Sequence, residues 1–141
     1  MEIMIVVVII GLPAALALSG MLAAGRKSRK VRFAREIQND GHAFVQYASL
    51  NGRYPADKTP AQMPDGMAEY LKYFPWNEKT VIGGNLDWDY GVFGVVAGVS
   101  VKSPTWGNEP MQEVDVMIDD GNLGAGQIRQ RSGGYIYILE E

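Results

Sequence analysis

The sequence predicts an α+β protein: one long N-terminal α-helix carrying a small head built on an antiparallel β-sheet. Three observations predict it. Residues 3–18 contain no charged side chain. From 26 to 50 there is no proline, and apolar residues recur every three or four positions, the period of one helix face. Beyond residue 87, short runs rich in Val, Ile, Tyr and Trp are separated by Gly- and Ser-containing turns, as in strands.

Charge divides the chain the same way. Of the 13 Lys and Arg, six (Arg26, Lys27, Arg29, Lys30, Arg32 and Arg35) form a collar free of Asp and Glu. From Glu36 onward seven cations face 15 acids, so the head is acidic within a net charge of −3. With no cysteine, disulfide scaffolds, thiolate metal sites and cysteine nucleophiles are excluded. The division is a hydrophobic transmembrane helix over 1–25, its amphipathic continuation over 26–51, and a globular α+β head over 52–141.

As a helix, 1–25 spans roughly 30–36 Å, the depth of a bilayer core. Its acidic start, and its passage into a basic helix without a break, argue for a retained segment rather than a cleavable signal. Glu2 opens the apolar run. A carboxylate at bilayer depth is costly unless paired, which makes it a functional candidate, whereas an interfacial acid would simply favour the helix N-terminus. Gly11-Leu12-Pro13 interrupts the run, because proline removes a backbone donor and crowds the preceding turn. A kinked single-pass anchor remains the plainer reading of that feature.

Glu2, the following IMIVVVIIG, then Leu12 and an Ala/Leu run closely resemble the N-terminal helix of bacterial type IV pilins and type II secretion pseudopilins. In that family a leader peptidase cuts just before an N-methylated residue, and Glu2 and Gly11 take the places of the family's glutamate and glycine. The resemblance implies that the mature N-terminus lies upstream of residue 1. It also implies that 1–25 forms a filament core and that Glu2, Gly11 and Pro13 serve assembly. The family's proline at the end of the apolar stretch is replaced here by Ser19-Gly20, with Pro13 further up. The weak helix points at 11–13 and 19–20 predict an extended or broken 11–20 in an assembled fibre. The collar after the apolar segment would place the head in the cytoplasm by the positive-inside rule, whereas the resemblance places it outside.

Over 26–50 the apolar face comprises Val31, Ala34, Ile37, Gly41, Phe44/Val45 and Ala48, and Asn51-Gly52 supplies a C-cap signal. The collar suits acidic residues of neighbouring heads in a fibre. Anionic headgroups or nucleic acid are its other partners in principle, but with Phe33 as its only aromatic no specific nucleic acid is expected. His42, the only histidine, is a surface residue on this reading rather than a metal ligand.

The string Tyr47-Ala48-Ser49-Leu50-Asn51-Gly52-Arg53-Tyr54-Pro55 reads as a helix end, a glycine turn and a returning aromatic. It also resembles the end of the first helix in major pseudopilins. A short helix is expected over 64–73, with Met67, Tyr70 and Leu71 on one side, then a turn at Phe74-Pro75-Trp76-Asn77. Strands are expected at 88–90, 93–101 and 135–139, with 127–131 as hairpin partner of the last. Asn108-Glu109-Pro110 reads as a helix start followed by Met111, Val114 and Ile118 at helical spacing. The alternation Val114, Val116, Ile118 keeps a strand open there.

No catalytic motif is present, and an enzyme is not expected. Asp119 and Asp120, before Gly121-Asn122, are candidate calcium ligands, and the resemblance lends calcium some support. A helix-closing turn uses the same residues. Asp87-Trp88-Asp89-Tyr90 suits either a strand or part of a sugar-binding surface. The function expected is a structural subunit polymerising into a pilus-like or pseudopilus filament, its partners being copies of itself, the inner membrane and the assembly machinery. It would reside in the inner membrane and then in an extracellular or periplasmic filament. The alternative is a membrane-anchored, lectin-like binding domain that does not polymerise.

Overall fold

The computed structural model describes residues 17–141 in full and, of residues 2–16, only that they belong to the first helix. That helix, α1, is Glu2–Asn51. At 1.5 Å per residue its 50 residues would measure about 75 Å. It ends where the sequence signals: Gly52 adopts φ +73°, and its N–H donates to the Ala48 carbonyl at 2.8 Å. Only glycine takes that left-handed conformation without strain.

The head contains β1 (Asn85–Tyr90), β2 (Ala97–Lys102), α2 (Asn108–Ile118), β3 (Ile128–Arg131) and β4 (Gly134–Glu140). The strands form one antiparallel sheet in the order β1-β2-β4-β3. Both α2 and the central strands β2 and β4 pack on α1. The chain is therefore α+β, with its sheet laid against the second half of the long helix.

The core forms where α1 meets the sheet. Phe33, Ile37 and Phe44 are each less than 2% exposed, at spacings of four and seven that return to one helix face. The Phe44 ring stacks on Trp88 of β1 at 3.8 Å and lies 5.3 Å from Trp76. Both indoles are satisfied: Trp76 Nε1 donates to the Gln62 carbonyl at 2.9 Å and Trp88 Nε1 to that of Pro55 at 3.0 Å. Buried indole N–H groups need such partners, and here they pin the irregular 53–84 segment to the core. Gly41 lets the sheet approach: a Cβ there would stand 2.8 Å from Leu139 Cδ2 and 2.9 Å from Tyr137 Cε1.

Several expectations change. Phe33 is a core anchor inside the collar, while Val45 of the expected face is 40% exposed. Residues 64–73 form consecutive turns rather than a helix, although Met67 and Leu71 are fully buried as that pattern required. The turn chain holds because the N–H groups of Met67, Tyr70 and Phe74 donate to the carbonyls three residues earlier. The strand expected over 93–101 is β2, starting at Ala97; before it, Phe93 (φ +55°) and Gly94 (φ +77°) turn the chain. The strand expected over 88–90 is the longer β1. Residues 108–118 are helical, which removes the strand alternative.

Candidate functional site

The collar is the first candidate. Its cations sit on α1 where the helix passes from solvent to the head: every residue from 17 to 29 is exposed, and burial begins at Lys30. Lys30 Nζ lies 2.5 Å from Glu113 Oε2 of α2, so it binds its own head. Arg32 pairs with Glu36 one turn on, at 2.7 Å. Among the described residues no ion pair involves Arg26, Lys27, Arg29 or Arg35, which are all exposed. Four of the six cations are thus available to another molecule.

Of the other assembly candidates, the side chains of Glu2, Gly11 and Pro13 lie outside the described residues. The stretch expected to break in a fibre, 11–20, is helical throughout in the single chain, and of its side chains only those of 17–20 are described. Among the described residues no helix is long and apolar enough to cross a membrane. The described helix does begin with exposed apolar side chains: Leu18, Met21 and Leu22 are 60%, 72% and 59% exposed.

Asp119 and Asp120 close a loop. Asp119 caps the end of α2, and its Oδ2 accepts the Gln127 N–H at 2.7 Å. Gly126 is required there, since a Cβ would come within 2.0 Å of that same oxygen. Asp120 Oδ1 accepts the Asn122 N–H at 2.8 Å, and Asn122 Oδ1 accepts that of Gly124 at 3.1 Å. Asp115, one helical turn before Asp119, is fully buried, and among the described residues only the backbone N–H of Gly121 approaches its carboxylate to favour the charged form. Burial pushes its carboxyl above the usual range, and Asp119 and Asp120 push it further. Among the described residues no group of three or more His, Cys, Asp and Glu is placed to hold a metal ion.

The Asp87-Trp88-Asp89-Tyr90 segment is β1. Trp88 faces the core and is fully buried, so it offers no stacking platform for a sugar. Its neighbours Asp87 and Asp89 point to the opposite face, by strand alternation, where Arg131 of β3 meets both. Its Nη2 lies 2.9 Å from Asp87 Oδ2, its Nε 3.5 Å from Asp89 Oδ2 and 3.0 Å from Ser100 Oγ. Ser100 also donates to Asp89, and the Phe93 ring lies 4.4 Å from the guanidinium. Burial pushes Asp87 up to about 6, with Asp89 adding to the rise and Arg131 opposing it. This buried triad escaped sequence reading because it depends on strand register, which brings Asp87 opposite Ser100.

A second feature unmarked in the sequence is Asp40. It lies on the buried face of α1, seven residues after Phe33 and four before Phe44, and is 2% exposed. Its Oδ1 is buried without a hydrogen-bond partner. Burial, helped by Glu36, pushes the carboxyl up to about 7. An acid at an apolar phase of the helix is the signal that would have found it. His42 is exposed on the same helix.

No protein-family model, curated protein or solved structure matches the chain.

Proposed function

We propose that the chain is the subunit of a pilin-like filament, held in the inner membrane before assembly and then part of an extracellular or periplasmic fibre. One observation carries the reading: α1 runs on past the head it supports. From 17 to 29 all its residues are exposed, with Leu18, Met21 and Leu22 among them, where the charge-free stretch that begins at residue 3 runs into the collar. At roughly 1.5–3 kcal/mol per large apolar side chain left in water, such a stretch favours a second apolar environment. A bilayer and then neighbouring copies of the same helix would supply it. The four unpaired collar cations would then meet acids on adjacent heads.

Within this reading Glu2 is the assembly residue: its carboxylate, carried among apolar helices, takes the α-amine of an adjacent subunit's mature N-terminus as counter-charge. Glu2→Ala should leave the protein in the membrane while abolishing fibre growth. Fibres of normal length and number from the variant would remove Glu2 from that role.

A further inference from the structure

Asp40 lines a cavity of about 80 Å³ between α1 and the segment before β1. Phe33, Ile37, Phe74, Val81 and Leu86 supply apolar wall, and Glu36 and Glu78 bring further carboxylates to it. The two cations that also line the cavity leave Asp40 alone: Arg32 is committed to Glu36, and among the described residues no ion pair joins Lys79 or Arg32 to Asp40. A buried carboxylate oxygen without a donor is normally disallowed by its desolvation cost. Here the residue that carries it lines a cavity of the size of a short side chain.

We propose that this cavity receives a primary ammonium group on an unbranched alkyl stem, with the ammonium on Asp40 and the stem against Phe33, Ile37 and Leu86. The chemistry follows from the walls. A buried carboxylate in a small cavity with Phe33, Ile37, Phe74, Val81 and Leu86 in its wall calls for a cation that donates hydrogen bonds, and an ammonium carries three such donors on a compact head. A guanidinium is broader and planar, and a metal ion needs several oxygens around one point, whereas among the described residues no group of three or more His, Cys, Asp and Glu is placed to hold one. Lysine side chains of a second copy, Lys27 among them, and free alkylamines both present this group.

The test uses the full chain in detergent micelles at pH 8, where Asp40 is ionised, with n-butylammonium as probe and tetramethylammonium as control. Calorimetry should show saturable binding of n-butylammonium alone. Asp40→Asn should weaken it by at least about tenfold, as expected on removing one partner of a desolvated charge pair. Val81→Phe, which fills the cavity and keeps the carboxylate, should weaken it as well. Near-ultraviolet circular dichroism of the Phe44–Trp88 stack verifies that each variant is folded. Absence of saturable binding, or binding as tight as wild type by either Asp40→Asn or Val81→Phe, overturns the proposal. Carbodiimide coupling of mixed light and heavy isotope-labelled chains then identifies the source. An amide between Asp40 and a lysine of another copy assigns the ammonium to a second subunit, and n-butylammonium binding without that amide assigns it to a free amine.

Discussion

The two parts of α1 differ more from each other than the helix differs from the sheet. Between 17 and 29 no side chain is buried, although Leu18, Met21 and Leu22 are large and apolar. Between 33 and 44 the same helix supplies Phe33, Ala34, Ile37, Ala43 and Phe44 to the core. Propensity does not separate them, since both are helical; what separates them is whether a partner exists within the chain. The second part is stabilised by the head. The first leaves Leu18, Met21 and Leu22 uncovered by the head.

The largest expected effect breaks the buried part alone. Phe44→Ala removes the ring between Trp88 and Trp76 and should destabilise the head by about 3–5 kcal/mol, the usual range for a deleted core aromatic. Leu22→Ala, on the exposed part, should leave the denaturation midpoint of the head unchanged. If both substitutions lower it alike, the division of the helix is wrong.

Asp40 sharpens the contrast, because it is the one acid carried on the buried face between 33 and 44. Its carboxyl is held at about 7 in the fold against an ordinary 3.8. The folded state therefore binds a proton that the unfolded chain releases, and stability falls as pH rises from about 4 through 7. The penalty is complete above that window and absent below it. Asp40→Asn removes the ionisation, so the gap between variant and wild-type melting temperatures should move in the variant's favour from pH 4 to pH 8. An unchanging gap would show that Asp40 ionises without cost.

A smaller effect is expected at Gly41, where the buried face meets β4. Gly41→Ala gains helix propensity, but its methyl group meets Leu139 and Tyr137 at distances a real Cβ does not tolerate. A net loss of about 1 kcal/mol is expected, within the range for overpacking, measured by chemical denaturation. Stabilisation would mean that Leu139 and Tyr137 yield freely.

The smallest effects concern charges at the boundary and beyond. Lys30→Glu sets two acids face to face at Glu113 and should cost about 1 kcal/mol of head stability, near the upper end for surface pairs because Lys30 is half-buried. Arg29→Glu should cost nothing in the head and should weaken assembled fibres in a salt-sensitive way. Asp119→Ala should destabilise by about 1 kcal/mol through the lost Gln127 cap. That loss should be the same with calcium and with chelator. A chelator-dependent loss would instead make Asp119 an ion ligand.

Legibility followed periodicity. The end of α1 at Asn51-Gly52, the helix begun at Asn108 and the β3–β4 hairpin were readable because a capping glycine, a first-turn proline and a glycine turn mark them locally. The turns over 64–73 mimic a helix because Met67 and Leu71 stand four apart, yet the N–H groups of Met67, Tyr70 and Phe74 bond the carbonyls three residues earlier and close separate turns. Phe33 was obscured by the cations around it, although its spacing from Ile37 and Phe44 gives its phase. The Arg131–Asp87–Asp89 triad was invisible, since a one-residue change of register would undo it.

The central claim, that the exposed part of α1 serves assembly between copies, is tested most directly by electron microscopy of material sheared from cells that express the chain. An antibody raised against the head serves as label. The account predicts label along the whole length of a thin fibre, and loss of that fibre when Glu2 is replaced by Ala. Label confined to membrane vesicles, with no fibre carrying this chain, would contradict it.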